Sequence, residues 1–206
     1  MRIADEQGLW SVPESERAGR PLLVLLHGHG MTEQIGFDLR HQLPSELVVA
    51  ALRGPLSVRS GYGWFSLEAD RFSLDEVRAA GGAVLDWLDR QPDHPTVGVL
   101  GFSQGSAIAA QCLRTRPSAL AYVALLSGFL DPLPAAGDQQ LARRRPPAFS
   151  GRGDADPLVP RILVTLTDQW LQEHTTLTRR VYPGLGHNVS AEELADLAAF
   201  LRDRLS

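Results

Sequence analysis

Short apolar runs alternate along this chain with longer stretches in which apolar side chains recur at helical spacing. Most of the runs have no alternating polar positions, which is typical of parallel strands that are covered on both faces. The runs predict strands over residues 22–26, 47–52, 97–101, 120–126, 148–150 and 178–182, with a further strand near residues 9–12. The stretches between them predict helices over residues 32–42, 74–90, 103–114, 158–174 and 191–204.

An alternation of strands and helices predicts an α/β fold with a mostly parallel central sheet and helices on both faces. The 206 residues contain no internal repeat and no low-complexity linker, so we expect one domain over residues 1–206. In such a sheet, ligands bind where loops leave the carboxyl ends of the strands. Residues that follow a predicted strand are therefore the candidates for chemistry.

The composition excludes several kinds of enzyme and partner. All 20 basic residues are arginine, and the absence of lysine excludes Schiff-base chemistry, Walker-type phosphate binding and Ser–Lys dyads. Histidine, aspartate and glutamate remain as the proton carriers. The formal net charge of −4 gives no electrostatic reason to bind nucleic acid.

The single cysteine and the N-terminal residues bear on the cellular compartment. Cys112 cannot form an internal disulfide, and we expect it to be a buried apolar residue. The first residues carry charge where a signal peptide has an apolar stretch. No apolar run approaches the ~20 residues that a membrane span needs. These patterns predict a cytoplasmic protein without a membrane span. For its assembly we expect a monomer or a homodimer.

The segment Gly101-Phe102-Ser103-Gln104-Gly105 follows a predicted strand and begins a predicted helix. It matches the G-x-S-x-G nucleophile elbow in the strand–turn–helix context that this motif requires. Small neighbours let the strand and the helix pass closely, and the turn projects the serine hydroxyl above the sheet. The alternative interpretation is a turn rich in glycine and serine that only caps the helix.

A serine nucleophile needs a histidine base that is oriented by a carboxylate. His187 lies in the loop between the last predicted strand and the last predicted helix, and Asp156 lies in the turn-rich loop after the strand over residues 148–150. The order Ser103, Asp156, His187 is the chain order of the α/β-hydrolase triad. We therefore predict a triad of these three residues.

Other aspartates and histidines have weaker contexts. Asp131 follows the predicted strand over residues 120–126, and Asp154 shares the loop of Asp156, so both remain alternatives for the acid. No pair of histidines has the His-x-x-x-His spacing of a zinc site, and we expect neither a metal nor a cofactor. We expect a structural role for His27 and surface positions for the rest of the histidines outside the predicted site, which are His41, His94 and His174.

Taken together, these motifs resemble the phospholipase/carboxylesterase family of the α/β-hydrolases, a group that includes acyl-protein thioesterases. The matching segments occur in the family's order over nearly the whole chain: Leu26-His27-Gly28-His29-Gly30, Arg53-Gly54-Pro55, Gly61-Tyr62-Gly63-Trp64-Phe65, the elbow, Asp156-Pro157-Leu158-Val159-Pro160 and Gly184-Leu185-Gly186-His187. The aspartate before Pro-Leu-Val-Pro is the family's acid, which favours Asp156. The resemblance also implies an oxyanion hole formed by the backbone N–H groups of His29 and Gln104.

The pocket wall is predicted from the aromatic segment and from the neighbourhood of the elbow. Trp64 fits either a pocket wall or ordinary core packing, and Met31, Phe102 and Leu185 lie near the elbow by topology. The connection over residues 127–147 is too short to form a cap domain. We therefore expect a site that is open at the top.

The predicted function is a serine hydrolase that cleaves small-molecule carboxylic esters with short to medium acyl chains through an acyl-enzyme. An acyl-protein thioesterase or lysophospholipase is the first alternative. The same fold and triad also serve perhydrolysis or carbon–carbon bond cleavage. A non-catalytic binding module is the last alternative, and the ordered triad argues against it.

Overall fold

The computed structural model of the protein describes residues 1–68 and 71–205. A seven-stranded sheet lies at its centre, in the spatial order β1-β3-β2-β4-β5-β6-β7. All neighbouring strands are parallel except β1 and β3, which are antiparallel. The strands are β1 (Gly8–Trp10), β2 (Leu22–Leu26), β3 (Val48–Leu52), β4 (Val97–Phe102), β5 (Tyr122–Leu126), β6 (Pro147–Gly153) and β7 (Thr176–Tyr182).

Helices cover both faces of the sheet, which confirms the predicted α/β fold. One apolar core joins the sheet to α2, α3, α4 and α5, and a second core joins the opposite face to α1 and α6. No helix in the described part of the chain is long and apolar enough to cross a membrane. The helices are α1 (Glu33–Asp38), α2 (Leu74–Leu88), α3 (Gln104–Thr115), α4 (Asp138–Arg144), α5 (Arg161–His174) and α6 (Ala191–Arg202).

Short elements fill the remaining connections. Single turns of 3-10 helix occupy Asp5–Gln7, Glu14–Glu16 and Leu39–Gln42. Two small antiparallel hairpins lie between β3 and α2, one of Leu56–Val58 with Gly61–Gly63 and one of Leu67–Glu68 with Arg71–Phe72. The hairpins and α4 were not predicted, because each is too short to show an apolar periodicity.

Two predicted helices differ from the structure by more than two residues at one end. The helix predicted over residues 32–42 is α1 followed by a 3-10 turn. The helix predicted over residues 158–174 begins three residues later, at Arg161, with Pro160 in the N-cap position. Proline has no backbone N–H and is tolerated only near a helix start, so Asp156 and the residues after it remain a loop.

Candidate active site

The nucleophile elbow is the sharp turn between β4 and α3. Ser103 has φ 52° and ψ −115°, a backbone conformation that residues other than glycine rarely adopt. A β-carbon on Gly101 would lie 2.2 Å from the Gly105 carbonyl oxygen, and one on Gly105 would lie 2.1 Å from the Leu26 carbonyl oxygen. Glycine is therefore required at both positions for the strand and the helix to pass at this distance.

Buried hydrogen bonds hold the elbow from both sides. The Ser106 hydroxyl donates to the Gly101 carbonyl at 2.6 Å, which ties the start of α3 to the end of β4. The side chain of Gln104 accepts from the Trp64 N–H at 2.8 Å and donates to the Phe65 carbonyl at 2.6 Å. These bonds fix the first turn of α3 against the aromatic segment.

The structure brings Ser103, His187 and Asp156 into one chain of hydrogen bonds. His187 Nδ1 lies 2.8 Å from Asp156 Oδ2, and His187 Nε2 lies 2.8 Å from Ser103 Oγ. Because an ionised carboxylate only accepts hydrogen bonds, Nδ1 carries the proton and Nε2 accepts from the serine hydroxyl. This tautomer is the one that a general base requires.

The environment of Asp156 favours its ionised form. Burial acts to raise the pKa of this carboxyl, but hydrogen bonds from His187 and from backbone N–H groups hold the pKa below its ordinary value. One of these donors is the Leu158 N–H, 2.9 Å from Asp156 Oδ1. The backbone after the aspartate thus holds one carboxylate oxygen while the other accepts from the imidazole.

The alternative acids have other partners. Asp131 is buried, where it accepts from the Leu133 N–H and pairs with Arg78. Asp154 is exposed and accepts from the Gly184 N–H at 2.7 Å, so it joins the acid loop to the loop that carries the histidine. Of the three aspartates, Asp156 is the one that the fold places against the imidazole.

The two backbone N–H groups expected in the oxyanion hole belong to His29, in the loop after β2, and to Gln104, the first residue of α3. Gly63 approaches both residues, since a β-carbon there would lie 3.1 Å from His29 Nδ1 and 3.2 Å from Gln104 Oε1. Neither the His29 N–H nor the Gln104 N–H donates to an acceptor within residues 1–68 and 71–205. Unused donors beside a nucleophile at a helix N-terminus can bind an oxyanion.

His27 anchors the loop that carries His29. Its Nε2 accepts from the Gly54 N–H at 2.9 Å, so its Nδ1 carries the proton and donates to the Gly28 carbonyl at 2.7 Å. Burial lowers the pKa of His27, which keeps the ring neutral and in this tautomer. This geometry gives His27 a structural role rather than a chemical one.

A large apolar cavity opens directly above the serine. Its volume is about 1070 Å³, at the upper end of the range for ligand pockets. Apolar side chains supply most of its wall, while the serine, the histidine and the oxyanion loop form its floor. It is lined by Gly28, His29, Met31, Leu67, Leu74, Phe102, Ser103, Gln104, Phe129, Pro132, Leu133, Leu158, Val159, Pro160, Ile162, Leu163 and His187.

Two of the four residues predicted for the pocket wall lie elsewhere. Met31 and Phe102 line the cavity, and the Phe102 ring packs on the imidazole of His187. Trp64 is fully buried in the core, where its indole N–H donates to the His27 carbonyl at 2.8 Å. Leu185 is half-buried outside the cavity, and its carbonyl accepts from the Ala155 N–H.

The sequence interpretation missed the outer wall of the cavity, which we define as Pro132, Leu133, Leu158 and Ile162. Leu158 and Ile162 are 68% and 65% exposed. Apolar residues that stay exposed beside a cleft are a signal of binding, but burial is not readable from one sequence. In the described part of the chain, no group of three or more metal-ligating side chains converges.

Comparison with known proteins places the chain in a family. A model of the Phospholipase/Carboxylesterase family matches residues 8–205. The chain belongs to the phospholipase/carboxylesterase family. This membership confirms the resemblance seen in the sequence, and it makes the protein a hydrolase.

Individual relatives agree with this assignment, and a solved structure has the same fold. The acyl-protein thioesterase 1 of Gibberella zeae is 33% identical over 203 residues, which cover 86% of each chain. The acyl-protein thioesterase 1 of Saccharomyces cerevisiae is 34% identical over 121 residues. This match covers 56% of this chain and 52% of the relative, about half its length. The Bacillus cereus carboxylesterase structure has a TM-score of 0.79 at 20% identity, covering 95% of this chain and 93% of that one, which shows the shared fold.

Proposed function

We propose that residues 1–206 form one catalytic domain that cleaves carboxylic esters, with Ser103 as nucleophile, His187 as base and Asp156 as the orienting acid. The observation that carries this proposal is the pair of 2.8 Å contacts that His187 makes with the other two residues. The strained conformation of the serine and the family membership support it.

The proposed reaction is a two-step acyl transfer. His187 takes the proton of the Ser103 hydroxyl as its oxygen attacks the ester carbonyl. The tetrahedral intermediate collapses when the histidine gives that proton to the leaving alcohol, which leaves an acyl-enzyme. Water that is deprotonated by the same histidine then attacks the acyl carbon and releases the acid. Asp156 keeps the imidazole in the required tautomer and stabilises its cation.

The negative charge that develops on the carbonyl oxygen would be bound by the N–H groups of His29 and Gln104. Both are backbone donors in segments that other hydrogen bonds already hold in place, so little reorganisation accompanies the reaction. Their position beside Ser103 supports this assignment.

The cavity supports an apolar acyl group as the substrate's recognised part. Its wall is mostly apolar, and the reacting groups lie on its floor. We propose esters of short to medium acyl chains, with the chain along the outer wall. We expect kcat/KM for p-nitrophenyl esters to rise from acetate to octanoate, because each added methylene buries more apolar surface. A profile that falls beyond acetate would contradict the assignment of this cavity to the acyl chain.

Thioester hydrolysis is the second candidate function. It is favoured by the open outer wall, through which an acyl group presented on a protein surface could enter, and by relatives named acyl-protein thioesterase. A comparison of kcat/KM for an S-octanoyl peptide and its O-octanoyl serine analogue distinguishes the candidates. Preference for the peptide thioester would favour this second function.

Fluorophosphonate labelling followed by intact-mass measurement tests the proposed triad. We expect one adduct on the wild type, mapped to Ser103, and none on Ser103→Ala, since only an activated serine reacts. Ser106→Ala is the control for loss of a serine in the same turn. The Ser106 hydroxyl donates to the Gly101 carbonyl and is not the proposed nucleophile, so this variant should still be labelled. No adduct on folded wild type, or an adduct retained by Ser103→Ala, would contradict the proposal.

A further inference from the structure

Arg152 lies beside the acid of the proposed triad, and nothing in the reaction sequence above uses it. It is the next-to-last residue of β6, and its side chain is 9% exposed. Its Nη2 lies 3.6 Å from Asp156 Oδ2, and its Nη1 donates to the Gly128 carbonyl at 3.4 Å. A buried guanidinium in this position is costly unless a charge compensates it.

The oxygen that faces Arg152 is also the oxygen that accepts from the imidazole. Asp156 Oδ2 lies 2.8 Å from His187 Nδ1 and 3.6 Å from the guanidinium. A positive charge at this distance offsets part of the charge that the carboxylate presents to the histidine. A carboxylate with less effective charge stabilises the imidazolium cation less.

The other charged groups around Arg152 lie on α5, β7, α6 and the loop that carries Asp156. Arg161 of α5 and Asp154 of that loop line a cavity of about 250 Å³ together with Arg152. Asp168 on α5 and Arg179 on β7 are paired with each other at 2.8 Å. Glu193 on α6 packs behind Gly151, so it faces the opposite side of β6 from Arg152. Burial raises the pKa of Glu193 to about 7. The carboxylate that contacts the guanidinium is therefore the one in the proposed triad.

We propose that Arg152 is a positioning residue: it holds the Asp156 carboxylate toward His187 and offsets part of its charge. The acidic limb of the reaction then lies at lower pH than it would beside a fully effective carboxylate. This inference rests on the proposed triad, and it concerns the pH range of the reaction rather than its steps.

The test is the pH profile of kcat/KM for p-nitrophenyl octanoate. Arg152→Met keeps the bulk of the side chain and removes the charge, and we expect the acidic limb to move up by about 0.5 to 1 pH unit. Arg152→Lys restores a charge and should return the limb most of the way to the wild-type position. A limb that does not move in Arg152→Met, or that moves equally in Arg152→Lys, would overturn the proposal.

Two matched variants separate this effect from general changes of charge. Arg161→Met removes an arginine that lines the same cavity as Arg152, and Glu193→Gln removes the buried carboxyl behind β6. We expect the acidic limb of both to coincide with that of the wild type. An equal shift in either variant would mean that the limb reports overall charge, which also overturns the proposal.

Folding and catalysis are checked separately. Arg152→Gln keeps an N–H donor for the Gly128 carbonyl and loses the charge, so it replaces Arg152→Met if that variant does not fold and carries the same expected shift. Fluorophosphonate stoichiometry reports the fraction of active enzyme in each sample. Failure of the wild type to label or turn over would contradict the proposed function, whereas normal wild-type turnover with an unmoved limb would contradict only the role of Arg152.

Discussion

The elbow and the outer wall border the same cavity, but they are held in place by different means. Around Ser103, glycines in close backbone contact and buried hydrogen bonds from Ser106 and Gln104 hold the turn between β4 and α3 in place. The outer wall consists of apolar side chains on loops and on the first turn of α5, and Leu158 and Ile162 are mostly exposed.

The difference teaches which part of the site can change without loss of the fold. Groups that must be held to within a fraction of an ångström for chemistry lie just beyond the ends of sheet strands and are supported by a second layer of contacts. Groups that select the acyl chain only need to be apolar and to line the cavity. We therefore expect substitutions at the elbow and triad to affect rate or stability strongly, and substitutions at the outer wall to affect selectivity modestly.

The largest expected effect on catalysis is that of Asp156→Asn. The amide removes the charge that stabilises the imidazolium and favours the wrong tautomer, so we expect kcat to fall on the order of 10⁴-fold. Steady-state kinetics with p-nitrophenyl octanoate measure it. Asp154→Asn, in the same loop, is the control and should stay within about threefold of the wild type, because an amide oxygen can still accept from Gly184. A large loss in Asp154→Asn alone would move the acid to that residue.

The next largest effect is expected from Gly105→Ala, and it is on stability rather than on catalysis. The new methyl group would lie 2.1 Å from the Leu26 carbonyl oxygen, so we expect the free energy of unfolding to drop by about 3 kcal/mol or more. Gly82→Ala is the matched control, since nothing lies within 4 Å of its β-position inside α2, and it should stabilise by about 0.5–1 kcal/mol. Urea denaturation compares the two. Equal effects would mean that the elbow is not tightly packed.

Much of the fold could be predicted because the strands that build it are buried. β2 and β3 are fully apolar, and both were predicted to within one residue. β6 was predicted too short, because its polar and glycine residues Gly151–Gly153 look like a loop although they pair with β7. Arg152 was overlooked for the same reason: a charged residue in a glycine-rich segment resembles a surface turn.

The candidate site also has a part that could be predicted from the sequence and a part that could not. Ser103, Asp156 and His187 follow strands in motif contexts, so these contexts, the chain order and the family resemblance together predicted the set that the fold brings together. Trp64 shows the limit of that reasoning, because an aromatic segment near the elbow fits a wall and a core equally well. In the structure Trp64 lies in the core and its indole N–H donates to the His27 carbonyl. No sequence pattern indicates this contact.

The smallest expected effect is that of Ile162→Ser on the outer wall. Ile162 lines the cavity but is 65% exposed, so we expect the free energy of unfolding to stay within about 0.5 kcal/mol of the wild type. The lost apolar contact should lower kcat/KM for p-nitrophenyl octanoate about threefold to tenfold and leave the acetate ester nearly unchanged.

Ile35→Ser is the control for this prediction, because Ile35 lies on α1, is 49% exposed and lies outside the set of lining residues. It should change neither ester. If Ile162→Ser lowered both esters equally, the outer wall would be part of the fixed catalytic frame, and its contrast with the elbow would fail. If octanoate hydrolysis were unchanged, the acyl chain would lie along another part of the cavity, and Leu74 and Phe129 on the inner side would be the residues to vary.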